Sequence, residues 1–168
     1  MIKPTDQAMI KSTDQAMIKS TDQAMIRPTD IESILKSDGV FISTTSGVSM
    51  YPMLRDRRDT IIVTRPEERL KKYDVALYKR GESYVLHRVI KVLPDSYIIR
   101  GDNCLAKEYG ITDADVLGVL SGFYRGNKEK SINSFSCKLY SRLVVALHPL
   151  VSIKLKLRAR FKRKKGGQ

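Results

Sequence analysis

A chain of 168 residues is long enough for one domain with a real core and short for two. With 42% hydrophobic and 29% charged residues it has the composition of an ordinary globular protein, which excludes a disordered or membrane-embedded class. The net charge of +13 is concentrated at one end: no acid follows Glu129, ten Lys or Arg lie in the last 38 residues and residues 1–130 carry only +3, so the basic surface is a tail and nucleic acid is not the expected partner.

Residues 1–28 hold an octapeptide array, MIKPTDQA, MIKSTDQA, MIKSTDQA and then MIRPTD, which runs on to Asp30. Eight is neither a helix nor a strand period, and one Met-Ile pair per unit cannot form a core, so the array is read as a flexible segment without chemistry. Order is expected from Thr29, where Thr29-Asp30-Ile31-Glu32 has the form of a capping box, Ile31, Ile34 and Leu35 follow at helical spacing, and Gly39 stops the helix. From Val40 the texture changes to short β-type runs at 40–44, 59–64, 74–79, 83–93, 96–100 and 117–125. Turn signals at Lys79-Arg80-Gly81-Glu82 and Pro94-Asp95 separate them, which predicts an antiparallel, mainly β domain over 29–130.

Residues 131–168 form an amphipathic basic segment. It becomes helical from about Ser136, with Leu139, Leu143, Leu147 and Leu150 at helical spacing and a break at Pro149; KLKLRARF, beyond it, alternates in a way that also suits a strand. The mostly apolar stretch from Leu143 to Ile153 is too short to cross a hydrocarbon core of about 30 Å, and eight Lys or Arg follow it between Lys154 and Lys165. Two readings of this segment stand side by side: its apolar face packs on the β domain, or it lies at an anionic membrane surface. No run of eighteen apolar residues and no secretory signal pattern are found, so a cytoplasmic location, peripheral to a membrane at most, is expected. Cys104 and Cys137 lie in no CxxC pair and near no histidine at zinc-like spacing, so neither a disulfide framework nor a metal site is expected.

Three short boxes carry the chemistry. Ser49-Met50-Tyr51-Pro52, with Leu54 behind it, places a serine in a turn that Gly47 and Pro52 favour, where a backbone N–H can face a developing oxyanion. His87-Arg88-Val89 lies within a strand-like run, with His87 on the face of Val85 and Val89 and Arg88 on the other. Arg100-Gly101-Asp102-Asn103 follows the next strand. Each box alone has a bland reading: a polar loop, a core histidine, a turn.

In the order Ser49, His87, Asp102, across about residues 40–125, the boxes resemble those of the signal peptidase I family of serine peptidases. Bacterial members have Lys-Arg-Val where this chain has His87-Arg88-Val89; the endoplasmic reticulum and archaeal-type relatives have histidine there. The resemblance implies an antiparallel β domain like that of signal peptidase and the self-cleaving repressors, to which the patterns read above add a short N-terminal helix and a helical, basic C-terminal tail. It implies Ser49 as nucleophile with its backbone N–H in the oxyanion hole, His87 as general base and Asp102 as the acid that orients it. It further implies hydrolysis of a leader or signal-type segment with small residues before the cut, through an acyl-enzyme and without cofactor or metal. The chain departs from the family at Gly47, which has no side-chain hydroxyl to lend to the oxyanion, and no N-terminal transmembrane anchor is expected from these residues. The alternative from another class is a catalytically inactive peptidase-fold module that docks on anionic membrane or nucleic acid through the basic tail.

Overall fold

The computed structural model describes residues 28–150, 152, 153, 155 and 156. The octapeptide array before Pro28 and most of the basic tail lie outside the described residues.

Helix α1 (Pro28–Ser37) opens on proline, whose fixed φ and missing N–H suit a first helical turn. The helix thus begins one residue before Thr29, where the capping-box reading starts it. Glu32, the other half of that box, instead accepts hydrogen bonds from Tyr84 Oη at 2.6 Å and Lys79 Nζ at 3.0 Å, which fasten α1 to the sheet. Leu35 enters the core.

Eight strands follow: β1 (Val40–Thr44), β2 (Asp59–Thr64), β3 (Val75–Arg80), β4 (Ser83–Val92), β5 (Tyr97–Arg100), β6 (Glu108–Ile111), β7 (Val116–Arg125) and β8 (Lys128–Ser131). All pair antiparallel in one curled sheet of order β1-β2-β7-β3-β4-β5-β6, with β8 also on β7. Side chains alternate between the faces of a strand, and the curl closes a core on each. Phe41, Met50, Leu54, Ile61, Leu77 and Phe123 belong to the larger core, while Ala76, Tyr78, Val89, Tyr97 and Ile99 form the smaller. β6 and β8 are absent from the strands expected above, because Glu108–Ile111 contains a glycine at φ +74° and Lys128–Ser131 is wholly exposed.

Helix α2 (Phe135–Ala146) starts at Ser134, whose hydroxyl accepts from Cys137 N, and ends before Pro149. Cys137 is in the larger core and Ser141 Oγ accepts from Arg88 Nη1 at 2.7 Å, so α2 is packed on the sheet. Its inward face is Cys137, Tyr140, Ser141 and Val144, continued by His148; Leu139, Leu143, Leu147 and Leu150 point away from the β domain. The hydrophobic spacing therefore gives the helix correctly, but the leucines are not its buried stripe.

Candidate active site

Ser49 sits in the loop between β1 and β2, which its neighbours hold from below. Met50, Met53 and Leu54 are buried, Leu54 N–H donates to Met50 O at 3.0 Å, and the loop's two ends meet where Thr45 Oγ1 donates to Arg55 O at 2.6 Å. Gly47 takes φ +91°, a left-handed conformation that glycine adopts without steric cost, and its N–H donates to Asp56 Oδ1 at 2.7 Å. Asp59, itself buried, anchors the end of the loop by pairing with Arg125 at 2.9 Å. The serine is thus carried on a braced turn while its own side chain and N–H have no hydrogen-bond partner among the described residues.

The box after β5 docks directly on this turn. Asn103 N–H donates to Ser49 O at 2.8 Å and Asn103 Nδ2 to Val48 O at 3.1 Å. Gly101 fills the seam: a Cβ there would stand 2.8 Å from Ser49 O, 3.0 Å from His87 Nε2 and 2.7 Å from Cys104 Sγ. Serine loop, histidine and Gly-Asp-Asn turn are therefore assembled at one point, although they lie far apart in sequence.

His87 is buried on β4, cross-strand from Ala76 on β3, with Ser49 and Cys104 beside it in the wall of a cavity of about 460 Å³. Phe41, Met50, Leu54, Ile61 and Leu77 supply its apolar floor, the usual composition of a binding cleft. His87 Nδ1 lies 3.0 Å from Glu108 Oε1 on β6 and 3.1 Å from Tyr78 Oη on β3. A carboxylate at that distance favours the tautomer with hydrogen on Nδ1, which leaves a lone pair on Nε2, the ring nitrogen that faces Gly101. Burial holds the imidazole pKa below its ordinary value, outweighing the opposing pull of Glu108, so the ring is neutral and able to accept a proton near pH 7. The same burial raises the Tyr78 phenol, which stays protonated.

Asp102 occupies a different place from the one the triad reading gives it. Its carboxylate accepts two hydrogen bonds from Arg88, Nε to Oδ1 and Nη2 to Oδ2, both at 2.8 Å, and a third from Tyr140 Oη at 3.1 Å. Arg88 and Asp102 are almost wholly buried, at 1% and 2% side-chain exposure. The reason is strand geometry: Arg88 follows His87, so its side chain leaves the opposite face of β4 and takes Asp102 with it toward α2. Asp102 touches His87 only through space, as a minor charge, while Glu108 makes the hydrogen bond to the ring. Glu108 was not legible as a site residue, because it lies in the motif-free run Lys107-Glu108-Tyr109-Gly110 and only the β5–β6 pairing brings it to His87.

Cys104 lines the same cleft, but burial raises its thiol pKa and so disfavours the thiolate that a cysteine nucleophile needs. His148 Nε2 lies 2.9 Å from Cys104 O, consistent with a structural role. Among the described residues no cluster of three or more His, Cys, Asp or Glu side chains has the arrangement to hold a metal ion. No family model, curated protein or solved structure matches this chain.

Proposed function

We propose that the chain is a serine endopeptidase whose nucleophile is Ser49, whose general base is His87 and whose orienting acid is Glu108. The observation that carries this reading is the convergence at Gly101: the Ser49 backbone and Nε2 of the buried His87 flank one glycine, and Ser49 and His87 both line the same largely apolar cleft. In the reaction, Ser49 Oγ attacks the scissile carbonyl as His87 Nε2 takes its proton, and Glu108 stabilises the imidazolium through Nδ1–H. The unpaired Ser49 N–H is suited to receive the developing oxyanion. The imidazolium then protonates the leaving amine, and water, activated by the same base, releases the acyl group from Ser49. Asp102 holds the assembly together through Arg88 instead of acting on the ring.

The resemblance of the three boxes to signal peptidase I supports a leader or signal-type substrate with small residues before the cut. Among the described residues no helix is long and apolar enough to cross a membrane. The acid-free end of the chain fits an enzyme that works peripherally, at an anionic membrane surface.

The test is cleavage of a peptide mixture read by mass spectrometry, with Ser49→Ala, His87→Ala and the double variant alongside. Each single substitution should remove nearly all turnover and the double should be scarcely worse, because the pair acts as a unit. Wild-type cleavage by Ser49→Ala, or independent multiplicative losses, would contradict the shared proton transfer.

A further inference from the structure

Helix α2 and the turns after it carry an apolar stripe that is left exposed among the described residues. Phe135, Leu139, Leu143, Leu147, Leu150 and Ile153 are each between 45 and 81% exposed. Their spacing places them along one side, roughly opposite the face of Cys137, Ser141 and His148 that is packed on the sheet. Six large hydrophobic side chains in one line exceed what scattered exposed leucines explain, since a contiguous apolar patch on a folded domain marks an interaction site.

The charge around the stripe selects its occupant. The only charged residues on α2 are Lys138 and Arg142, both exposed, and no acid occurs anywhere from Lys130 to the end of the chain. Ile153 is followed by Lys154, Lys156, Arg158 and Arg160 and then by four more bases up to Lys165. An apolar stripe with cations beside and after it, and no anions, matches the two-part structure of an anionic bilayer: acyl chains for the leucines, headgroup phosphates for the lysines and arginines. We propose that α2 is a membrane-docking helix, which lies in the interface of an anionic bilayer with Phe135, Leu139, Leu143, Leu147, Leu150 and Ile153 turned into the lipid. The same helix and the turn after it are tied to the β domain, because Arg88 donates to Ser141 and His148 bonds the carbonyl of Cys104, a cleft-lining residue. Docking through α2 therefore sets the orientation of the cleft relative to the lipid surface. The proposal does not rest on the peptidase reading.

The experiment is sedimentation of the full-length protein with vesicles of equal parts phosphatidylglycerol and phosphatidylcholine, and with pure phosphatidylcholine. Wild type should pellet with the anionic vesicles at low salt and be released at high salt, with little binding to the neutral ones. The pair Leu143→Glu and Leu147→Glu, which replaces exposed residues only, should lower the bound fraction at least tenfold while leaving the circular dichroism spectrum unchanged. Replacing Lys138 and Arg142 by Gln should weaken binding severalfold, and Ser49→Ala should bind as wild type, so that a failure of the catalytic reading is seen separately. Wild type that ignores anionic vesicles at low salt overturns the proposal, as does a Leu143/Leu147 pair that binds undiminished. So does light scattering that shows a wild-type dimer dissolved by the same two substitutions, for then the stripe joins two copies of the chain.

Discussion

Glu108 Oε1 stands 3.0 Å from His87 Nδ1, while Nε2 of the same ring faces Gly101. That contact fixes both the tautomer and the orientation of the base, and it comes from β6, the strand with the least hydrophobic signal around the site. Glu108→Gln keeps the size of the side chain but removes the charge that stabilises the imidazolium. It should lower kcat by about a hundredfold or more with little change in KM. Since Glu108 also bonds Arg80 at 3.2 Å, Arg80→Gln is the control for a merely structural role, and it should leave kcat within about threefold of wild type. Equal losses in the two variants would argue against Glu108 as the orienting acid.

Asp102 is expected to behave differently. Asp102→Asn leaves the buried Arg88 guanidinium without its counter-charge, and breaking one side of such a pair costs on the order of 3–5 kcal/mol. The urea midpoint should therefore fall steeply, while the turnover of the molecules that remain folded should be affected less than in Glu108→Gln. A variant of normal stability with a hundredfold loss in kcat would restore Asp102 to the catalytic role first expected of it.

The pH dependence follows from the burial of His87. Desolvation disfavours the charged ring, so the acidic limb of kcat/KM should titrate below the ordinary imidazole value of about 6.5. The sign for stability is the same: a histidine pKa depressed on folding gives a contribution that is complete above the unfolded value and is lost as pH falls through the folded one. A nuclear magnetic resonance titration of His87 checks both. A limb above pH 8 would instead point to a lysine base, with the exposed Lys91 the nearest candidate in sequence.

Gly101 is the position where the three boxes touch. A methyl there meets Ser49 O at 2.8 Å and His87 Nε2 at 3.0 Å, closer than ordinary contacts, and one of them is backbone that cannot easily give. Gly101→Ala should cost at least tenfold in kcat, since displacement of a reacting group by about 1 Å is expensive. It should leave the secondary structure intact. Full activity in Gly101→Ala would mean that the serine turn and the histidine are less closely coupled than their packing indicates.

How much of this was visible in the sequence depends on what each residue's neighbours signal. β1 and β2 were legible to the residue, because Val40–Thr44 and Asp59–Thr64 are short runs rich in β-branched residues. Ser49 and His87 were singled out through their boxes, and the fold brings both to the wall of one cleft. The partner of His87 was not, because Asp102 and Glu108 differ in position and not in chemistry: only strand alternation, which sends Arg88 and Asp102 to the far face, and the β5–β6 pairing decide between them. The exposed side of α2 was hidden for a similar reason. Its leucines have the spacing of a core stripe, while the residues that are packed inward include Ser141 and His148, which composition alone would assign to the surface.

The account turns on Ser49 being a nucleophile activated by His87, and covalent titration with a serine-directed peptidyl phosphonate measures that most directly. The full-length protein should take up one phosphonate per chain, located on Ser49 by peptide mass mapping, with a rate that falls as His87 is protonated. His87→Ala should slow labelling by a thousandfold or more, and Ser49→Ala should abolish it. Absence of labelling in wild type, or equal labelling of wild type and Ser49→Ala, would contradict the catalytic reading and favour an inactive module that keeps the fold.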